Sequence, residues 1–286
     1  MNTQQKLVSP VPRGSNRHEQ ERAPEEGNPE EGKNDLRLGM DTYEFCGANF
    51  DPLTLSQTLE RCKWISARHG FRYIVTPNVD HLVRLNKEPE LYKPLYQASW
   101  LSVCDSRILE PLGKLSGVPL KAVPGSDLTR QIIETLLELD EPINVIGADD
   151  DVIAKVKELY GLMHVHHYRP PMGLRHKPHE IHACAKFIAE HPARYTFICV
   201  GSPQQEMIAK EARDRGDCVG LGLCVGASLD FLAGKQNRAP KWMQSARIEW
   251  LYRLLSDPKR MWKRYLVSGP KIFLIWIKWR ARKNSG

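Results

Sequence analysis

The sequence predicts an α/β protein with a doubly wound, mainly parallel β-sheet and a basic helical extension at its carboxyl end. Three observations support this prediction. Short apolar runs typical of buried strands alternate with longer stretches of helical periodicity. The 286 residues are 41% hydrophobic and 26% charged, an ordinary composition for a globular chain with a substantial core. The net charge of +7 is concentrated near the end of the chain.

Each predicted strand is followed by a helix, which indicates βαβ units and a Rossmann-like sheet with helices on both faces. The predicted strands are 71–75, 100–104, 143–146, 195–200 and 218–225. The predicted helices are 78–96, 106–115, 126–139, 150–160, 178–190 and 203–215. In such a sheet ligands bind beyond the carboxyl ends of the strands, so the residues directly after each strand are the first candidates for a functional site.

Composition divides the chain into three regions. Residues 1–38 are rich in Glu, Pro, Gly, Asn and Arg and hold few large apolar side chains, so we expect a disordered leader. Residues 39–240 carry the strands and helices of the α/β core. Residues 241–286 hold twelve Lys and Arg against the acids Glu249 and Asp257, which gives this basic appendage a charge of +10 and the rest of the chain −3. We therefore expect the appendage to have an anionic partner.

The basic appendage also contains five of the seven tryptophans. Its last predicted helix, 270–283, interleaves Lys and Arg with the uncharged run 272–277, a pattern typical of helices that lie in the lipid headgroup layer. The run is too short to cross a bilayer, which takes about 20 apolar residues. An aliphatic surface of this kind is poorly suited to nucleic acid. We therefore expect an anionic membrane surface as a partner, and no nucleic acid.

The cysteines and the amino terminus bear on the cellular compartment. Seven cysteines are scattered without a C-x-x-C pair, which argues against a disulfide framework or a zinc ribbon and favours a reducing cytoplasm. The amino terminus lacks the apolar stretch of a secretory signal. Together with the basic appendage, these features predict a cytoplasmic protein that binds peripherally to the inner face of the cell membrane.

Polar residues follow the first two predicted strands. Thr76-Pro77-Asn78 comes directly after strand 71–75, where Pro77 ends the strand and its two neighbours present short polar side chains. Asp105 follows the next strand, where a carboxylate can serve as a general base. Asn78 and Asp105 could equally be helix caps. The residues alone leave both interpretations open.

Two later strand ends are suited to an anion or a nucleotide. Gly125-Ser126-Asp127 opens a predicted helix whose backbone N–H groups could cradle an anion, although Ser126 and Asp127 are also common caps. The segment 201–206, Gly-Ser-Pro-Gln-Gln-Glu, combines a glycine, a proline suited to the first helical position, and side chains that can hydrogen-bond a base or a sugar. In physical terms this segment is a good nucleotide-site candidate.

Another strand end offers a metal-dependent alternative. Asp149-Asp150-Asp151 contains a D-x-D arrangement, which can hold a divalent cation on a nucleotide diphosphate. The helix dipole alone also favours aspartates at a helix start. P-loop, G-x-G-x-x-G and G-x-S-x-G motifs are absent from the sequence, which argues against the commonest NTPases, dinucleotide enzymes and hydrolases.

A series of short motifs occurs in order along the chain. They are Thr76-Pro77-Asn78, Asp105, Gly125-Ser126-Asp127, 201–206, 229–234 (L-D-F-L-A-G), Arg238-Ala239-Pro240 and 249–255 (E-W-L-Y-R-L-L). With these motifs the sequence resembles the WecG/TagA/CpsF family of bacterial glycosyltransferases, which includes the N-acetylmannosaminyltransferases of teichoic-acid and common-antigen synthesis. The resemblance covers about residues 40–267 and leaves out the leader and the final helix.

The resemblance implies an inverting transfer, without a metal ion or other cofactor, of a sugar from a UDP-sugar donor to a saccharide on polyprenyl diphosphate. It implies that Asp105 is the general base, that Thr76 and Asn78 line the sugar pocket, and that Gln205 faces the substrate. It also implies that the appendage reaches the membrane and completes the site, where Arg253, Arg260 and Arg264 clamp the diphosphate. The other residues expected to bind substrate are Gly125, Ser126, Asp127, Gly201, Gln204, Glu206, Asp230 and Arg238.

The chain departs from the family pattern at Ser106 and Ala122, and also in the segment 164–173, which lacks the family's G-Y pattern. Ser106 stands where a glycine usually follows the catalytic aspartate, and Ala122 stands where an arginine is common. These departures keep open a protein of another class, a regulatory protein that binds a nucleotide-sugar without catalysis. The metal-dependent transferase that uses Asp149 and Asp151 is a second alternative. Self-association into a homo-oligomer also stays open.

Overall fold

The computed structural model describes residues 41–138, 140–235, 240, 243, 249–256 and 258–284. The predicted leader and Arg238 lie outside these residues. The strands are β1 (Tyr43–Phe45), β2 (Ala48–Phe50), β3 (Arg72–Val75), β4 (Leu101–Ser102), β5 (Ile143–Gly147), β6 (Val165–Tyr168), β7 (Tyr195–Cys199) and β8 (Leu221–Cys224). Strands β3 to β8 form one all-parallel sheet in the order β4-β3-β8-β7-β5-β6, and β1 and β2 form a separate antiparallel hairpin. The predicted fold class is confirmed.

Helices cover both faces of this sheet. The core helices are α1 (Leu55–Lys63), α2 (Val79–Lys87), α3 (Pro89–Gln97), α4 (Leu109–Lys114), α5 (Gly125–Thr135), α6 (Asp150–Tyr160), α7 (Pro178–Glu190), α8 (Gln204–Arg215) and α9 (Ser228–Leu232). Helices α2, α3, α7 and α8 contribute to one hydrophobic cluster, and α1, α5, α6 and α9 contribute to the other. Side chains of one strand alternate between the two clusters, as Tyr73 and Val75 do with Ile74. This is the doubly wound arrangement.

The structure differs from the sequence prediction in three elements. The hairpin β1–β2 and the edge strand β6 were not among the predicted strands. The predicted helix 78–96 is divided into α2 and α3 at Glu88, whose backbone leaves the helical region at φ −134° and ψ 64°. Pro89 follows directly, and a proline disfavours helical geometry in the residue before it.

The described residues from 249 onward are largely helical, in agreement with the predicted helical extension. They form α10 (Glu249–Ser256), α11 (Pro258–Trp262), a π-helical segment (Lys263–Ser268) and α12 (Lys271–Asn284). Pro258 separates the first two of these helices, as its missing N–H and fixed φ favour a helix start. None of the helices in the described ranges combines the length and the apolar character needed to span a bilayer.

Helix α12 packs with one side against the α/β core. Ile272 and Trp279 are only 1% and 7% exposed and belong to the core cluster formed by α2, α3, α7 and α8. The Trp279 ring lies edge-on to Phe45 at 5.0 Å between centroids, and its Nε1 donates a hydrogen bond to Glu44 Oε2 at 2.5 Å. Trp276 is half-buried. Two tryptophans of the predicted headgroup-layer helix therefore contact the core.

Replacing Trp279 with Ala should lower the free energy of unfolding by about 3–5 kcal/mol, the usual cost of removing a buried aromatic ring. Urea denaturation followed by far-UV circular dichroism measures this loss. The matched control is Phe273→Ala, because Phe273 is a large aromatic residue of the same helix that is 48% exposed. This control should cost less than about 1 kcal/mol. Equal losses in the two variants would contradict the packing of α12 described above.

Candidate active site

The carboxyl ends of β3, β4 and β8, three neighbouring strands, are tied together by hydrogen bonds. The hydroxyl of Thr76, a residue only 4% exposed, donates to the carbonyl of Cys224 at 2.9 Å and links the ends of β3 and β8. The backbone N–H of Asp105 donates to the carbonyl of Pro77 at 3.0 Å and links the segments after β4 and β3. The structure therefore brings Thr76 and the Asp105 backbone to one edge of the sheet.

Helix α5 begins beside Thr76. A Cβ atom at Gly125 would lie 3.6 Å from Thr76 Oγ1 and 3.5 Å from Ser228 Oγ, so three strand-end segments converge on the start of this helix. Pro124 precedes the helix and provides no side-chain cap. Ser126 and Asp127 are half-buried in its first turn. An eleven-residue helix thus presents its N-terminus at this edge, an arrangement that favours an anion.

Asp105 comes directly after a short extension of β4. Cys104 pairs with Ala122 in an isolated parallel bridge, and the Val123 N–H donates to the Cys104 carbonyl at 2.7 Å. Asp105 is half-buried. The hydroxyl of Ser106 accepts hydrogen bonds from two backbone N–H groups of the following turn, those of residues 108 and 109, both at 3.2 Å. The residue that departs from the family pattern therefore has a local role as a cap.

Asn78 is a helix cap in the structure. Its Oδ1 accepts from the backbone N–H groups of Asp80 at 3.0 Å and of His81 at 3.4 Å, at the start of α2. Both lone pairs of the oxygen are then used. The amide nitrogen is the part of Asn78 left for contact with a substrate, so the capping and the substrate-binding interpretations are compatible.

Gln205 and Glu206 point into the protein. Gln205 is 2% exposed, and its Oε1 accepts from the Gly226 N–H at 2.9 Å, which joins the start of α8 to the segment after β8. Its Nε2 donates to Glu206 Oε1 at 2.8 Å. Both ends of the Gln205 amide are thereby engaged inside the fold. The family resemblance implies a Gln205 that faces the substrate, whereas these contacts favour a role in holding the Gly226 backbone.

The buried Glu206 carboxyl completes this network. Glu206 is fully buried, and burial raises its pKa above the usual range of a glutamate. The hydrogen bond from Gln205 and the positive charge of Arg84 act in the opposite direction. Arg84 also donates to the Ser202 carbonyl at 2.7 Å and pairs with Asp80 of its own helix at 2.5 Å. The network therefore connects α2 to the segments after β7 and β8.

The remaining predicted residues lie around the same edge. Gly201 has φ +80°, a left-handed conformation that favours glycine, and its carbonyl accepts from the Gln205 N–H at 2.9 Å. Gln204 is half-buried at the first position of α8. Asp230 is half-buried in α9, a helix that contacts α5. These positions are consistent with a site bounded by β3, β4, β7 and β8.

Comparison with protein families decides what kind of protein carries this site. The model of the glycosyl transferase WecG/TagA/CpsF family matches residues 43–286. The chain belongs to this family. It is therefore a glycosyltransferase of surface-polysaccharide synthesis. The match begins at β1 and includes α12, so the expectation that the final helix falls outside the family was wrong.

In this glycosyltransferase the D-x-D residues are paired with cations. Lys235 Nζ lies 2.7 Å from Asp149 Oδ2 and 3.2 Å from Asp151 Oδ2, and Arg169 Nη2 lies 2.6 Å from Asp149 Oδ1. The hydrogen bond from Lys235 lowers the pKa of Asp149. Among the described residues, His, Cys, Asp and Glu form no group of three placed to hold a metal ion. A divalent cation at the D-x-D would have to displace Lys235.

The arginines predicted to clamp the diphosphate lie on three consecutive elements of the glycosyltransferase. Arg253 is in α10, Arg260 in α11 and Arg264 in the π-helical segment. The π-helical segment contacts α2, the helix that Asn78 caps. Their backbone positions are described, whereas Arg238 lies outside the described residues.

Replacing Glu206 with Gln should change how stability depends on pH. A carboxyl whose pKa is raised by folding favours the folded state at low pH, and its contribution is lost as the pH rises through the folded-state pKa. The free energy of unfolding of Glu206→Gln, minus that of wild type, should therefore be larger at about pH 8 than at about pH 5. Urea denaturation at both pH values measures the difference, with Glu134→Gln, an exposed substitution, as the control. A stability difference that is the same at both pH values would contradict the assignment.

Proposed function

We propose that this glycosyltransferase moves a sugar, with inversion and without a metal ion, from a UDP-sugar to a saccharide linked to polyprenyl diphosphate. The position of Asp105 carries the proposal. The Asp105 N–H donates a hydrogen bond to the carbonyl of Pro77, the residue between Thr76 and Asn78. Helix α5 begins at the same edge of the sheet. A general base and an anion-binding helix end therefore lie on neighbouring segments, as an inverting transfer requires.

The proposed reaction needs one carboxylate. Asp105 takes the proton of the acceptor hydroxyl, and the oxygen attacks the anomeric carbon on the face opposite the leaving group. The bond between that carbon and the β-phosphate oxygen breaks, and UDP leaves with the electron pair. A single displacement inverts the configuration at the anomeric carbon. The Asn78 amide nitrogen and the Thr76 hydroxyl oxygen, whose hydrogen is donated to Cys224, would hold the sugar in the orientation that this attack needs.

Departure of UDP requires neutralisation of the charge that develops on its phosphate. In our proposal the N-terminal N–H groups of α5, near Ser126, provide one part of this stabilisation. Arg253, Arg260 and Arg264 of the appendage provide the other part. The π-helical segment, to which Arg264 belongs, contacts α2, and this contact with the core supports the role proposed for the appendage.

Membrane association is the second part of the proposal. Helix α12 docks on the core with Trp279 and leaves Phe273, Leu274 and Ile277 between 48% and 63% exposed on its other side. Lys278 is exposed beside them. An apolar strip flanked by cations is suited to the headgroup layer of an anionic bilayer. We propose that α12 holds the enzyme on the inner face of the cell membrane, where a lipid-linked acceptor would be presented.

Asp105→Asn should lower kcat by about 100-fold to 10,000-fold, the usual contribution of a general base, with the affinity for UDP little changed. The measurement is release of UDP from a UDP-sugar in the presence of a polyprenyl-diphosphate-linked saccharide. Asp151→Asn is the matched control and should keep near wild-type activity, as should the wild type in EDTA. Loss of activity in EDTA or in Asp151→Asn would favour the metal-dependent alternative. If the wild type binds UDP but releases no UDP from any UDP-sugar, the alternative of a regulatory protein without catalysis would be favoured.

Ile277→Glu should weaken sedimentation with anionic vesicles at least about tenfold, because burial of an isoleucine side chain contributes about 1.5–3 kcal/mol. Ile277 is 56% exposed on α12. The matched control is Leu159→Glu on α6, since Leu159 is 53% exposed on the other side of the sheet. Vesicle binding that is equally weakened, or equally retained, in both variants would contradict the proposed orientation.

A further inference from the structure

A second concave site lies away from the candidate active site. It is a cleft of about 600 Å³ between the β1–β2 hairpin, α2, α3 and α12, which we call the hairpin cleft. None of its lining residues is among the candidate active-site residues. Its volume is within the range of about 300–1,000 Å³ that is typical of small-molecule sites. The proposed transferase chemistry leaves this cleft without a role.

The hairpin cleft is positively charged. Lys93 of α3 and Arg282 and Lys283 of α12 line it, and Glu44 is the one carboxylate among its lining residues. Three cations against one carboxylate give a net charge of +2. Glu44 already accepts hydrogen bonds from Trp279 Nε1 at 2.5 Å and from the Gly47 N–H at 2.6 Å. Among the described residues, the ion pairs involve none of the three cations, although Lys283 Nζ lies 5.3 Å from the centroid of the Trp279 ring and Arg282 Nε donates to the Lys278 carbonyl at 3.4 Å.

The backbone of the hairpin turn and the floor of the hairpin cleft are held in place by contacts within the fold. The hairpin turns through Cys46 and Gly47, with φ values of +53° and +92°, the left-handed geometry that suits a two-residue turn between twisted strands. Asn86 Nδ2 donates to the Cys46 carbonyl at 2.7 Å and attaches this turn to α2. Tyr96 and Trp279 in the floor are 6% and 7% exposed. A backbone and floor that are already ordered lose little conformational entropy on binding.

We propose that the hairpin cleft binds a small, soluble ligand that carries at least two negative charges as phosphate. The Arg282 guanidinium can contact two oxygens of a phosphate at once, and two lysine ammonium groups suit further oxygens. The amides of Asn49 and Gln97 line the cleft and can donate to the same group. The chemistry is that of a phosphate monoester or a diphosphate.

Neither the helix dipole nor a lipid headgroup accounts for these three cations as well as a soluble phosphate does. Cations in the last turn of a helix stabilise its dipole, which explains Arg282 and Lys283 on α12 but not Lys93 on α3. A lipid headgroup is a second source of phosphate. However, the apolar strip around Ile277 faces away from the core, whereas the cleft is on the Trp279 side of the same helix. A bilayer that contacts the strip would therefore not fill the cleft.

Titration of the full-length protein with inorganic pyrophosphate, by isothermal calorimetry, tests the proposal. Wild type should bind with a Kd below about 1 mM, and Lys93→Glu and Arg282→Glu should each weaken binding at least about tenfold. Lys278→Glu, the same charge reversal on an exposed residue of α12 outside the cleft, should change Kd less than about twofold. Circular dichroism and thermal unfolding first establish that each variant is folded. If Lys93→Glu is not folded, Lys93→Ala takes its place.

Three results would overturn the proposal. They are no detectable binding of pyrophosphate to wild type, equal weakening in Lys278→Glu, and binding that survives in both Lys93→Glu and Arg282→Glu. The last result would assign the anion to another site, such as the start of α5. A further arm uses phosphatidylglycerol vesicles. Displacement of these vesicles by pyrophosphate, with loss of vesicle binding in Arg282→Glu, would identify a lipid headgroup and contradict a soluble ligand.

Discussion

The site depends on a constraint of the parallel sheet, which brings the carboxyl ends of all its strands to one edge. The buried hydrogen bond from the Thr76 hydroxyl to the Cys224 carbonyl fixes two of these ends, although the residues are 148 positions apart in sequence. The Gln205 amide performs a similar function between the start of α8 and Gly226. Because these bonds use buried polar groups, the site is organised by the fold itself. Asp105, which comes shortly after β4, and the start of α5 lie at the same edge.

The packing of α12 connects the proposed membrane surface to the core. Its Trp279 side is part of the hydrophobic cluster on one face of the sheet, and its Ile277 side is exposed. Deleting the whole appendage would therefore expose Phe45 and its neighbours to water and lower stability as well as membrane affinity. Single substitutions on the exposed side separate these two effects. The same packing builds the hairpin cleft, so the helix that we propose to meet the membrane also forms one wall of a second site.

The fold class and much of the candidate site could be predicted from the sequence, because apolar periodicity identifies strands and strand ends identify candidates. The hairpin β1–β2 was missed because three-residue strands show too little alternation, and β6 was missed because it is rich in histidine. The direction of the Gln205 side chain could not be predicted, since its partner Gly226 is 21 residues away. For the same reason, Lys235 was not expected beside Asp149. Long-range partners of polar side chains require the three-dimensional structure.

The most direct test of the account is a crystal structure of the enzyme with UDP bound. We expect the diphosphate oxygens to lie within hydrogen-bond distance of the backbone N–H groups of Gly125 and Ser126, with the Asp105 carboxylate facing the space beside the β-phosphate. A diphosphate held by Asp149 and Asp151 through a divalent cation would contradict it. So would UDP bound at this edge with Asp105 directed away from it.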